Sequence, residues 1–255
     1  MKLLLTSGGV TNDSIRTALV DLLGKPVGEA SALCIPTAMY AHPWVGMGEK
    51  PWQFVAGRAQ NPMVDLGWAS MGLLELTALP SIDRDLWEPR VREVDALVVA
   101  GGDVLYLAHW LRESGLLEVL PGLEETTWLG LSAGSMVMTP EVGEDFIQWR
   151  PPSGDTSTLG WVDFSICPHL AADGGPGNSL DEARSWAAGI AARRTRWTTR
   201  RRSGSSTARS SGSPRGPGWS SEQAQSRITS APCSRSRWRL ASIWARASGG
   251  CGGQS

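Results

Sequence analysis

Five short apolar runs, each closed by turn residues and separated by helix-length segments, constrain this chain more than any other feature. They are Lys2 to Thr6, Ala32 to Pro36, Gly72 to Ala78, Ala96 to Ala100 and Thr127 to Leu131. Runs of this kind read as buried strands, and their alternation with helices is the pattern of a mostly parallel sheet covered on both faces. The expectation is an α/β three-layer sandwich. Helices are predicted at Asn12 to Leu23, with Asn12 or Asp13 as N-cap, and at Trp52 to Leu66, Val104 to Ser114 and Leu117 to Glu125. A last apolar stretch, Trp161 to Cys167, reads as a further strand. Ser179 to Ile190 reads as a helix that opens on Asp181 and Glu182.

The pattern stops near Ala192, and the charge changes with it. Residues 1–192 carry 24 acidic against 11 basic side chains, net −13, whereas residues 193–255 carry 13 Arg, no Lys and a single acid, Glu222, net +12. After Ala192 the only Leu or Ile residues are Ile228, Leu240 and Ile243, and Val, Tyr, Phe and Asp are absent. Such a composition builds little core. The domain expectation is one α/β domain over 1–192, large enough for a sizeable core, and an Arg/Ser/Gly-rich disordered tail over 193–255.

No apolar run approaches the roughly 18 residues that span a bilayer, and the apolar start Leu3-Leu4-Leu5 is too short for a signal peptide. The expected location is cytoplasmic, with no membrane partner. Cys34, Cys167, Cys233 and Cys251 show neither CxxC pairing nor metal-ligand spacing, which argues against zinc and against a disulfide framework. Cys34 and Cys167 lie in apolar runs and read as buried thiols.

The chemistry-bearing motif is Gly130-Leu131-Ser132-Ala133-Gly134, a GxSxG at the point where an apolar strand gives way to the helix-like run Ala133 to Met138. A serine on so tight a turn is lifted clear of the sheet, and the N–H groups that follow face a developing oxyanion. The competing reading is a Gly-rich turn with an ordinary serine. A nucleophilic serine needs a base, and the chain offers three histidines. His109 sits in the helical run Tyr106 to Leu111, where packing is its expected use, and His42 precedes Pro43 in a loop. His169 follows Cys167-Pro168, at the carboxyl edge where sites of open α/β sheets assemble. Glu141, Glu144 and Asp145, all in the loop leaving the nucleophile helix, are candidates for the acid that orients the imidazole. Gly101-Gly102-Asp103 closes the strand before the nucleophile strand, and the N–H of Gly102 is a candidate second oxyanion donor.

Taken together, Leu3-Leu4-Leu5-Thr6-Ser7-Gly8-Gly9, Gly101-Gly102-Asp103, Leu131-Ser132-Ala133-Gly134-Ser135 and Pro168-His169-Leu170 resemble the aspartyl dipeptidase (peptidase E) family of serine peptidases. The resemblance runs from Met1 to about Ile190. It implies a class I glutamine amidotransferase-like α/β fold and a hydrolase that cleaves small peptides through an acyl-enzyme. It implies Ser132 as nucleophile and His169 as general base, with Asp145 nearest the acidic position and the N–H groups of Gly102 and Ala133 as oxyanion hole. It requires no metal and no cofactor. The chain departs from the family pattern at Gly102-Asp103, where a third glycine and an Asn are common, and in a shorter serine-to-acid spacing. No cation for an N-terminal Asp side chain can be mapped. An esterase or amidase with the same elbow, or an inactive homologue with a polyanion-binding tail, are the rival readings, and a homo-oligomer is left open.

A basic tail that binds nucleic acid would be legitimate chemistry. Thirteen Arg with no Lys and four Trp is an odd recipe for one. A back-translation of Arg193 to Ser210, read from its third base, yields Ala-Tyr-Ala-Met-Asp-Asp-Glu-Thr-Ala-Ile-Arg-Val-Val-Asp-Gly-Thr-Val. That peptide alternates like a strand, turns at Asp-Gly and begins a second strand. The expectation is a shift of reading frame near Ala191 to Arg193 that replaces a terminal hairpin.

Overall fold

In the computed structural model, the described residues are 1–43, 48–170, 179–190 and the backbone of 240–241. Five of the apolar runs become or adjoin strands: β1 (Lys2–Thr6), β2 (Ser31–Ile35), β3 (Ser70–Leu73), β4 (Ala96–Val99) and β5 (Thr127–Leu131). The helices are α1 (Asp13–Leu23), α2 (Glu49–Val55), α3 (Arg84–Glu93), α4 (Val104–Glu113), α5 (Leu116–Val119) and α6 (Ala133–Met136), followed by α7 over residues 180–190. A two-residue strand, β6 (Leu240–Ala241), completes a sheet of order β3-β2-β4-β5-β1-β6. Every strand pair is parallel.

Strand side chains alternate between two cores, as a pleated strand requires. Leu3 and Leu5 face one layer and Leu4 the other; Leu97 and Val99 oppose Ala96 and Val98 in the same way. Ile15, Leu19 and Leu22 of α1 and Phe54 of α2 fill one layer. Trp87, Leu107, Leu116 and Met136, from α3 to α6, fill the other. This is the expected three-layer α/β sandwich. The chain steps outward from β1 to β2 and β3, then returns through β4 and β5, so α1 and α6 leave the neighbouring strands β1 and β5 on opposite faces. In open α/β sheets, sites assemble at the carboxyl ends of strands that diverge in this way.

Three expectations are corrected. The helix read over Trp52 to Leu66 ends at Val55, because Gly57 takes a left-handed φ of 64° and Asn61-Pro62 turn back to β1. There the Pro62 carbonyl accepts the Val10 N–H at 3.0 Å, and the Asn61 amide donates to the Gly8 carbonyl at 2.9 Å. The stretch Trp161 to Cys167 is not a strand. The N–H groups of Leu159 and Gly160 donate to the carbonyls of Val137 and Thr139, and those of Trp161 and Val162 to that of Met138, so the start of this backbone bonds the turn that follows α6 rather than extending the sheet. Finally, α3 forms where no helix was read.

The disorder expected of the tail falls on 193–239 and 242–255, outside the described residues. Its described part, Leu240–Ala241, pairs with Leu3 and Leu4 on the edge of β1.

Candidate active site

Ser132 stands at the carboxyl end of β5 with φ 49° and ψ −108°, a conformation that non-glycine residues seldom adopt. The surrounding bonds hold it there. Its N–H donates to the Thr6 carbonyl at 3.0 Å, which carries the β1–β5 ladder one residue past the strand. Its own carbonyl accepts the N–H groups of Ser135 and Met136 at 2.8 and 2.9 Å. Side chains brace the same turn. The Ser135 hydroxyl accepts the Thr6 N–H at 2.9 Å and lies 2.8 and 2.9 Å from the carbonyls of Thr6 and Gly130. The fully buried Trp128 donates its indole N–H to the Gly134 carbonyl at 2.7 Å. The glycines of GxSxG follow from this packing: a Cβ at Gly130 would stand 2.5 Å from the Gly134 carbonyl oxygen, and one at Gly134 would stand 2.5 Å from that of Val99.

His169 meets this serine. Its Nε2 lies 2.9 Å from Ser132 Oγ, a hydrogen bond in which the hydroxyl donates when the imidazole carries its proton on Nδ1. His169 is itself left-handed, with φ 62°, and its N–H donates to Ser7 Oγ at 2.7 Å. Burial pushes its imidazole below the ordinary histidine range. The His109 ring packs against Trp110 and Trp149 at 5.3 Å each, as its helical position suggested. His42 is also pushed down by burial, against the opposing pull of Asp103.

Gly102 and Asp103 reach the site from the end of β4. Gly102 has φ 137°, and a Cβ there would lie 2.2 Å from the Ala38 carbonyl oxygen, so only glycine fits. Asp103, 2% exposed, donates its N–H to that same carbonyl at 2.7 Å. Its carboxylate caps α4 through the Tyr106 N–H and accepts the Trp149 N–H, both at 2.8 Å. Ala133 opens α6, directly after the nucleophile candidate. Among the described residues, neither the Gly102 nor the Ala133 N–H donates to another backbone group.

The three acids are placed differently. Glu144 pairs with Arg150 at 2.7 Å on the surface. Asp145 lies near Cys167, whose thiol is raised chiefly by burial and further by that carboxylate. Glu141 offers its backbone carbonyl to the hydroxyls of Thr139 and Ser165. Among the described residues no carboxylate is within hydrogen-bonding distance of His169, and no cluster of His, Cys, Asp or Glu could hold a metal ion. Cys34 is buried, as expected, and burial raises its thiol to about 11; Cys167 is half-buried. No helix among the described residues is long and apolar enough to cross a membrane.

The part of the site that sequence reasoning missed is its bracing. Ser7 read as a turn residue within the motif Leu3 to Gly9, with no role of its own, and nothing in the spacing of Trp128, Ser135 or Asp103 announced their hydrogen bonds.

A strained serine at a strand-to-helix elbow, with an imidazole at hydrogen-bond distance on a parallel α/β sheet, is the arrangement of a serine-type hydrolase. Comparison with known proteins narrows the class. The model of Peptidase family S51 matches residues 3–191, and the chain belongs to that family of serine peptidases. Among solved structures, a protein of Listeria monocytogenes EGD-e assigned to peptidase E is 18% identical, with 68% of this chain and 80% of that one covered and a TM-score of 0.47. A peptidase from an acI-B1 Actinobacterium is 21% identical, with 66% and 68% covered and a TM-score of 0.48. No curated protein matches the chain.

Proposed function

We propose that this peptidase cleaves small peptides, dipeptides included, with Ser132 as nucleophile and His169 as general base. The observation that supports this reading most directly is the 2.9 Å contact between Ser132 Oγ and His169 Nε2. Nε2 takes the hydroxyl proton as Oγ attacks the scissile carbonyl carbon, and the carbonyl π electrons move onto oxygen. The N–H groups of Gly102 and Ala133 hold that oxyanion. As the tetrahedral centre collapses, the C–N bond breaks and the imidazolium gives its proton to the leaving amine. Water, deprotonated by His169, then attacks the acyl-enzyme and releases the acid, with the proton returned to Oγ.

For the acid we propose Asp145, the residue the family resemblance places nearest that position, with Glu144 and Glu141 as the alternatives; none of the three hydrogen-bonds His169 among the described residues. Replacement separates the candidates: Asp145→Asn is expected to lower turnover, and Glu144→Gln and Glu141→Gln to leave it near that of the wild type. The reading as a whole is tested with a dipeptide panel beside a p-nitrophenyl ester. Peptide turnover that falls by a factor of about 10⁶ in Ser132→Ala is the expected result. Ester cleavage with no peptide cleavage would make the chain an esterase with the same elbow.

A further inference from the structure

We propose that Ser7 is the positioning residue of the base, and that its hydroxyl sets the distance between His169 and Ser132. This rests on the reading of Ser132 and His169 as nucleophile and base. His169 lies outside regular secondary structure, and among the described residues no strand ladder fixes it. Its left-handed backbone, φ 62°, is unfavourable for a residue with a Cβ and persists only where neighbours enforce it. One described contact does so directly: its N–H donates to Ser7 Oγ at 2.7 Å, across 162 residues of sequence.

Ser7 is well placed for that task. It follows Thr6, whose carbonyl accepts the Ser132 N–H, and Thr6 ends β1, the strand paired along its full length with the nucleophile strand. Two adjacent residues thus support the two reacting side chains: Thr6 fixes the backbone of Ser132, and Ser7 fixes that of His169. The 2.9 Å between Oγ and Nε2 is then a property of one dipeptide at the carboxyl end of β1. Releasing the His169 N–H lets the imidazole drift while leaving the elbow intact, and a shift of about 1 Å at a reacting pair costs about 100-fold in rate.

The test is the rate at which a fluorophosphonate labels Ser132 in the full chain, with limiting rate and half-saturating probe concentration measured separately. Ser7→Thr and Ser7→Val have the same shape and differ by the hydroxyl alone. Ser7→Thr is expected to label within about threefold of the wild type. Ser7→Val is expected to lose about 10- to 100-fold in limiting rate, with half-saturation unchanged. Circular dichroism melting of both variants checks that they fold. Equal limiting rates in the folded pair, or an equal loss in both, overturn the proposal while leaving the nucleophile reading in place. Failure of the folded wild type to label at Ser132 overturns both.

Discussion

Trp149 donates its backbone N–H to the carboxylate of Asp103 at 2.8 Å, which ties the loop carrying Glu144 and Asp145 to the first turn of α4. The other carboxylate oxygen caps that helix, so one buried side chain serves two donors from different parts of the chain. Removing it leaves both unsatisfied. Asp103→Ala is expected to destabilise the fold by about 1 to 3 kcal/mol, the sum of a lost cap and a half-buried N–H left without its partner. Asp103→Asn keeps one acceptor and should lose about half as much. Urea titration of the two variants checks the order, and an unchanged midpoint for Asp103→Ala would contradict it.

The acid limb of the pH–rate profile should report His169. Burial lowers its pKa, and a general base works in its neutral form. Activity therefore rises with pH through a midpoint below the ordinary value of about 6.5 and is level by neutrality. A kcat/KM profile still climbing above pH 7 would show that burial does not govern this imidazole.

The elbow depends on a tryptophan that no substrate touches in the proposed reaction. Trp128→Phe keeps the aromatic bulk and deletes the donor to the Gly134 carbonyl. The expected outcome is a loss of about 1 to 3 kcal/mol in stability, together with slower fluorophosphonate labelling. Stability lost without any change in labelling would separate the indole bond from the set of the elbow.

Which features were legible depended on whether they were written in neighbouring residues. β1 and β5 fall where their apolar runs lie, and of the two caps read for α1, Asn12 is the one used, its side chain accepting the Ile15 N–H at 2.9 Å. GxSxG marked the elbow because close packing on Gly130 and Gly134 leaves a local trace. α3 left none. It contains Pro89, buries only Trp87 and Val91, and is laced by Arg84–Glu88 and Arg92–Glu88 pairs, so its hydrophobic period is too faint to see. Trp161 to Cys167 misled for the opposite reason: an apolar run with strand-like composition bonds through Trp161 and Val162 to the Met138 carbonyl, in the turn after α6, and joins no strand. Ser7 and His169 are partners through tertiary structure alone, and no spacing rule reaches across 162 positions.

For the tail, we propose that residues 193–255 are translated out of frame. Sequencing the gene from codon 180 through the stop is the direct check. A chain carrying the alternative reading after Ala192 is expected to melt several degrees higher, because a hairpin would then flank the sheet in place of a strand two residues long. Equal melting temperatures, with the gene confirmed as written, would retire the proposal.

The proposed nucleophile and base are backed by different kinds of structure. Ser132 extends the β1–β5 ladder, while His169 hangs from a stretch without strand or helix. Heating should therefore silence the enzyme before it melts the protein: amides around β1 and β5 would stay protected from solvent exchange while those of 161–170 have already opened. In that interval the chain would be an intact scaffold with an idle serine, and cooling should bring its activity back.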